Sequence, residues 1–354
     1  MILLGLTKWG ALVLICRRYE HCHNYRTLFL RRRRVTLLDT MKKALLLLFF
    51  VGLVSLLPGF SQLSANAAPA DSTQSLKIKW TTGKEYFLRM TMTQSTEMPM
   101  GGQPKPMEGS MEMTQQFTMS VLKENSDGGH DIEMEFGNVS MRSSGAGNEM
   151  SFDSTKPAAE DGNNPMAAMM RKIVGCRLKY VIGPDGTVQK IEGANEMIKR
   201  LSAGALSAGA PEAEGFYKQM LSDDNLKQYG SFSDTLPDHP VKIGDSWRLK
   251  KSIKILTGNL NIDAQYTLKG PEDHLLRHCQ RIDFDGTLSS ENGNAAATIT
   301  DGKMSGQLWF DPDLGTVIDN VSNQKFTVTA NSMVIKMRLK AEMSLDKVQD
   351  LNAK

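Results

Sequence analysis

Strict alternation of apolar and polar residues is the feature of this 354-residue chain that most restricts its fold. Residues 335–345 carry six apolar residues at every second position: Ile335, Met337, Leu339, Ala341, Met343 and Leu345. Residues 174–182 repeat the pattern through Val174, Cys176, Leu178, Tyr180 and Ile182. Because successive side chains of a strand point to opposite faces, these segments have one apolar and one hydrated face. The pattern predicts antiparallel strands.

A weak internal repeat extends this prediction to the whole fold. The segment "CRLKYVIGPDGTVQKIEG" (residues 176–193) aligns with "SGQLWFDPDLGTVIDNVS" (residues 305–322), each with a Pro-Asp turn. Residues 130–141 and 279–290 align in the same order, and Trp80 and Trp247 open the two halves. We therefore predict a mainly β fold. Two related antiparallel β units would form a large curved sheet or part-open barrel, with a helical insertion between them.

The front of the chain has the pattern of a secretory leader. Met41-Lys42-Lys43, an apolar run over residues 44–57 and Ala65-Asn66-Ala67 form a basic segment, an apolar segment and a cleavage site in the expected order. We predict cleavage after Ala67. The apolar run is too short for a membrane span. We interpret residues 1–40 as a mis-annotated upstream extension, with an unusually long leader as the alternative.

The remaining boundaries follow composition. We assign residues 68–79 to an N-terminal linker, 80–193 to the first β unit, 194–235 to a helical connection, 236–346 to the second β unit and 347–354 to a C-terminal tail. Helices are expected at residues 166–172, 195–206 and 211–229, which are rich in Ala, Glu, Lys, Met and Leu.

Charge excludes one class of partner. The first 67 residues hold ten Lys and Arg and two Asp and Glu, which leaves 32 basic and 37 acidic residues, a net charge near −5. The basic isoelectric point of the full chain therefore belongs to the predicted leader. No electrostatic argument for nucleic-acid binding remains.

Seven methionines fall within residues 90–114. Those at 90 and 92 share one strand face with Tyr86 and Leu88, and those at 111 and 113 share another with Phe117, so a hairpin would join them on one dry face. Met98, Met100 and Met107 lie in the connection instead. Three thioethers could bind Cu(I), although no His or Cys stands nearby to anchor the ion.

The mature chain has two cysteines, and export makes a Cys176–Cys279 disulfide one alternative. The faces disfavour it, because Cys176 shares the apolar side of its strand and Cys279 falls on the side of Arg281 and Asp283. A buried free Cys176 is the other alternative. The segment "DHLLRHC" (residues 273–279) places two histidines close in sequence, and we interpret it as a solvated hairpin end rather than a zinc site.

Three motifs together resemble a known family: Trp80-x-x-Gly83-x-x-Tyr86, Phe152-Asp153-Ser154, and Leu236-Pro237-x-x-Pro240-Val241-x-x-Gly244-Asp245-x-Trp247. The chain resembles a bacterial domain-of-unknown-function family of secreted β-rich proteins. The resemblance implies a bacterial exported protein, periplasmic or extracellular, and assigns no activity.

No catalytic motif or cofactor site is recognisable in the sequence. Our first hypothesis is an exported, non-enzymatic protein that binds a lipid, another apolar ligand or an exposed protein segment in a β groove. The alternatives are a structural or interaction module of the cell envelope with a filled core, and a copper-handling protein that uses the methionine loop.

Overall fold

A computed structural model of the chain describes residues 73–99, 105–145, 147–162, 164–203, 221–230, 234–255, 258–290, 297–330 and 333–351, together with residues 215 and 217–219. The predicted extension at residues 1–40, the leader at residues 41–67 and Met100 lie outside these residues. All described residues belong to one unit, Val51–Lys354.

The described strands are β1 Lys84–Met98, β2 Met107–Glu124, β3 His130–Gly145, β4 Asn148–Asp153, β5 Arg177–Ile182, β6 Val188–Glu192, β7 Ser246–Ile255, β8 Gly258–His274, β9 Arg277–Ser290, β10 Thr298–Asp311, β11 Thr316–Ala330 and β12 Met333–Asp350. The described helices are a 3₁₀ turn at Ala158–Asp161, α1 Pro165–Ile173, α2 Ala194–Ser202 and α3 Asp223–Gly230.

These twelve strands form one antiparallel sheet in the order β6-β5-β3-β2-β1-β12-β11-β10-β9-β8-β7, with β4 paired to β3. The sheet is not closed, and β6 and β7 are its edges. Helix α3 contacts both edge strands, so the sheet curves until its edges lie on either side of one helix. This confirms the predicted mainly β fold with a large curved sheet.

Strand β12 joins the two halves of the sheet. The last strand in the chain pairs with β1 on one side and with β11 on the other. It continues to Asp350, whose carboxylate lies 2.7 Å from Lys84 Nζ, so residues 347–350 are strand rather than the predicted tail. The predicted linker also contacts the fold, because Gln74 bridges to Val241 and Leu76 is buried.

Local sequence explains where the helices and turns form. The side chain of Asn164 accepts hydrogen bonds from the first backbone amides of α1, Pro165 fixes its first residue, and two basic residues stand at its last turn. The two aligned Pro-Asp turns connect β5 to β6 and β10 to β11, with Gly186 at φ 81° and Gly315 at φ 60°. Descent of the halves from a repeat stays a prediction from sequence.

Side chains alternate between two faces of the sheet, and we name these by what they carry. The inner face holds most of the buried apolar residues, among them Met92, Phe284 and Leu339. The outer face holds most of the charges.

Candidate functional site

Methionines line the inner face on both sides of the β1–β2 hairpin. Met92 lies opposite Met113, which lies opposite Met141 on β3, and all three are buried. Met90 lies opposite Met343 on β12. The predicted hairpin with its adjoining methionine faces is therefore confirmed. Unbranched thioether side chains fit apolar surfaces of irregular shape, so this wall can adapt to apolar groups of different shapes.

A polar stripe interrupts this apolar wall on β11. Its successive inward residues are Asn320, Ser322 and Gln324, each at most 4% exposed. Apolar residues of β12 and β10 lie opposite them on either side: Met343, Ala341 and Leu339 on β12, and Leu308 and Met304 on β10. We call Asn320, Ser322, Gln324 and the nearby Gln94 of β1 the inner polar stripe.

The amide oxygens of the inner polar stripe have no hydrogen-bond partner among the residues that the structure describes. This holds for Gln94 Oε1, Asn320 Oδ1 and Gln324 Oε1, all fully buried. Gln324 donates weakly to Ser322 Oγ at 3.4 Å. Gln94 and Gln324 both lie opposite Leu339 from neighbouring strands, so their side chains approach from two sides. An unpaired buried polar group costs about 1–3 kcal/mol, so several on one face indicate a site that takes a polar group.

The inner glutamine of β2 shows how the fold satisfies such a side chain when its role is structural. Gln115 Nε2 donates to the backbone oxygens of Gln116, Gly137 and Asn138 at 2.9–3.3 Å. These carbonyls lie at an irregularity of the β2–β3 pairing, where the ladder leaves them free. The inner polar stripe has no comparable arrangement.

The inner polar stripe was missed from the sequence, although a signal was present. Residues 320, 322 and 324 have the same parity as Phe326 and Val328, which are inner and buried. Polar residues at inward positions of a strand are the informative exception to hydrophobic burial.

A glycine without a side chain lies on the inner face next to the inner polar stripe. Gly306 of β10 lies opposite Ser322, and a Cβ at this position would stand 2.4 Å from the ring of Phe284. The ring therefore lies over the glycine backbone, a common arrangement where a sheet bends.

The structure places two of the three candidate copper ligands. Met98 ends β1 and Met107 begins β2, and they lie opposite each other as the last pair of the hairpin, both half-buried. Met100 lies outside the described residues, and copper binding stays a prediction. Among the residues that the structure describes, no three His, Cys, Asp or Glu side chains are grouped so that they could hold a metal ion.

The segment with two histidines forms the β8–β9 hairpin end, as predicted. His274 is less solvated than expected, because its ring stacks on Trp309 at 3.9 Å and its Nε2 lies 2.7 Å from Asp319 Oδ2. Trp309 Nε1 donates to Glu272 Oε1 at 2.9 Å, which lowers the pKa of Glu272 together with the hydrogen bond from Arg281. These contacts join four strands at one end of the sheet.

Both described cysteines are free and buried, so the Cys176–Cys279 disulfide is not formed in the structure. Cys176 directly precedes β5 and Cys279 lies in β9, and these two strands are seven positions apart in the strand order. Cys279 has outward parity, as predicted, yet it is buried because it packs with Trp309 and Ile318. Burial raises the pKa of its thiol to about 12.

No helix in the described part of the chain is both long and apolar enough to cross a bilayer.

Comparison with known proteins gives architectural likenesses. Lipovitellin, in a structure of its lipid–protein interactions, matches 78% of the chain at 9% identity with a TM-score of 0.44. A protein from Bacteroides fragilis with a YmcC-like fold matches 76% of the chain and 97% of its own length, at 10% identity with a TM-score of 0.23. The chain spans 26% of the lipovitellin chain. Both TM-scores are below 0.5.

No curated protein matches the sequence. A family model, described as a family of unknown function (DUF6263), matches residues 127–317, more than half of the chain. This match includes β3 to β10, and the inner polar stripe of β11 follows directly after it. The chain therefore belongs to the DUF6263 family of unknown function.

Proposed function

We propose that this protein is an exported, non-enzymatic binding protein that holds an amphipathic ligand, such as a lipid, against the inner face of its sheet. The apolar part of the ligand would contact the methionine wall. A polar group of the ligand would donate hydrogen bonds to the inner polar stripe.

One observation carries this proposal: three buried amide oxygens, of Gln94, Asn320 and Gln324, face an apolar wall and have no hydrogen-bond partner in the described part of the chain. A ligand hydroxyl, amide or ammonium group supplies the donors that these oxygens need. Specific small-molecule sites have this composition, with mostly apolar linings and a few convergent polar groups.

Export is supported by the leader pattern at residues 41–67, which lies outside the described residues. The non-enzymatic part of the proposal rests on chemistry. In the described part of the chain the inner polar stripe consists of three amides and the hydroxyl of Ser322, and the residues opposite that hydroxyl, Gly306 and Ala341, cannot act as a general base.

A structural or interaction module of the cell envelope is the second candidate. Near-complete burial of the inner face favours it, since Met92, Ala341 and Ser322 have no exposed surface. In that case the inner polar stripe is an unfavourable feature that packing tolerates.

Paired substitutions separate the two candidates. Asn320→Leu/Gln324→Leu removes two orphan oxygens, and Met304→Leu is the control, since it changes an inner side chain of similar volume without changing polarity. The protein would be purified from its own envelope fraction and weighed by native mass spectrometry.

A binding protein is expected to carry a co-purifying ligand that the Met304→Leu control retains and the double variant loses. Each lost hydrogen bond weakens binding about five- to a hundredfold, since it corresponds to about 1–3 kcal/mol. Wild-type protein that shows a ligand-free mass, together with a double variant that is more stable to urea, would favour the filled structural module instead.

A further inference from the structure

Three cations form one row across the outer face of the sheet. Arg338 of β12 lies opposite Lys325 of β11, and Lys325 lies opposite Lys303 of β10. Side chains directly opposite each other on one face are about 5 Å apart at Cβ, and like charges in such pairs destabilise a sheet. This row is therefore unfavourable in the absence of an anion.

Neighbouring carboxylates neutralise the row incompletely. Arg338 donates to Glu97 at 3.3 Å. Lys303 and Lys325 form no ion pair with any residue in the described part of the chain. Within the same surface, Lys340 pairs with Glu342, and among the described residues Asp285 is the one carboxylate that lines the concavity described next. Positive charge thus exceeds negative charge here, although the mature chain is acidic overall.

The cations surround a concavity of about 640 Å³. Its remaining outward residues carry hydroxyl and amide groups that donate hydrogen bonds: Thr93, Ser95, Ser305 and Asn323. Strands β10 and β12 are two strand spacings apart, about 10 Å, so the charged groups span more than one phosphate group. This combination of basic and hydroxyl side chains suits phosphate oxygens.

We propose that this concavity binds a polyanion that bears phosphate groups, with Lys303, Lys325 and Arg338 as its principal contacts. The phosphate groups belong either to a lipid headgroup at a membrane surface or to a soluble polyphosphate. The three cations lie on the outer face, opposite the side chains of the inner polar stripe, and Gln324 of the stripe also borders the concavity.

The test uses two probes on the same purified protein. Pyrophosphate binding would be measured by calorimetry, and membrane binding by co-sedimentation with phosphatidylcholine vesicles that contain or lack phosphatidic acid. The variants are Lys303→Gln, Lys325→Gln and Arg338→Gln, singly and together. Each removed cation is expected to weaken binding about fivefold, and the triple variant about a hundredfold.

A charge-matched control removes the same net charge elsewhere. Lys123→Gln/Lys190→Gln/Lys250→Gln changes three exposed cations outside the concavity, and each of their carboxylate partners keeps a second basic neighbour. Because the cation-row triple variant relieves repulsion, its urea midpoint without probe is expected to equal or exceed that of the wild type.

Pyrophosphate binding that the triple variant loses and the control keeps supports the proposal with a soluble ligand. Binding confined to phosphatidic acid vesicles, with the same dependence on the row, supports it with a lipid headgroup. The proposal is overturned when neither probe binds, or when the triple variant and the control lose binding equally.

Discussion

The β8–β9 hairpin turns on two residues that are unsuited to the conformation they adopt. Leu275 has φ 49° and Leu276 has φ 62°, and His274 pairs with Arg277 directly across the turn. A two-residue turn with positive φ at both positions favours Asn-Gly strongly, because bulky L-residues are strained in the left-handed region. Replacing the pair, Leu275→Asn/Leu276→Gly, should stabilise the protein.

The size of the gain follows from geometry and exposure. The left-handed conformation costs about 1–2 kcal/mol for each ordinary residue, which glycine avoids and asparagine reduces. Glycine also lowers the free energy of unfolding by about 0.5–1 kcal/mol, because it gives the unfolded chain greater conformational freedom. Little burial is lost, since Leu276 is fully exposed at 106% and Leu275 is 55% exposed. We expect the free energy of unfolding to rise by about 1–2 kcal/mol.

Urea unfolding followed by circular dichroism measures this gain, provided that the slope with denaturant stays constant. The matched control is Leu275→Ala/Leu276→Ala, which removes the exposed apolar groups and keeps both Cβ atoms, so the backbone strain remains. The reasoning is refuted if Asn-Gly is no more stable than Ala-Ala. That result would mean that the turn holds its conformation without cost.

Three further predictions address charge, packing and the cysteines. Burial alone would raise the pKa of Asp131, but hydrogen bonds such as that from Lys179 outweigh it and lower the pKa. Asp131→Asn should therefore lower the free energy of unfolding by about 1.5–3 kcal/mol at pH 7. Urea titrations should show the wild type losing this advantage as the pH falls below about 4. Gly306→Ala should lower the melting temperature through about 1–3 kcal/mol of overpacking, since its Cβ would stand 2.1 Å from the backbone oxygen of Val321 and 2.4 Å from the ring of Phe284. Cys279 should react with a disulfide reagent at pH 8 in denaturant and not in the native state; no reaction in denaturant would instead indicate a disulfide.

Period-2 alternation predicted which side chains share a face. It placed Met92 and Met113 on one wall, because strand geometry fixes this relation within a few residues of sequence. The Pro, Asp and Gly residues of the aligned segments located the two turns. The alternation could not predict that β12 stands between β1 and β11. The pairing of β12 with β1 joins residues from 239 positions apart (Glu97 and Lys336, 336 − 97) to 266 positions apart (Lys84 and Asp350, 350 − 84), and no local pattern encodes it.

Two features of the outer and inner faces also escaped prediction, for different reasons. Cys279 has the parity of a hydrated residue, yet Trp309 from the next strand packs with it, so its burial depends on a neighbour rather than on its own segment. The inward position of the inner polar stripe follows from parity alone. It was missed because every residue on an apolar face is expected to be apolar, and Asn320 is not. Such departures from local consistency are typical of functional sites.

Adjacent residues of β11 belong to the two proposed sites, and this makes the proposals separable. Gln324 points into the inner polar stripe, whereas Lys325 points into the cation row on the opposite face. A substitution at either position changes a side chain on one face and leaves the backbone and the opposite face unchanged. Lys325→Gln should therefore change phosphate binding and leave the co-purifying ligand in place. Gln324→Leu should do the reverse. If either variant altered both properties, the two faces would be energetically coupled through the strand, and the two sites would have to be treated as one.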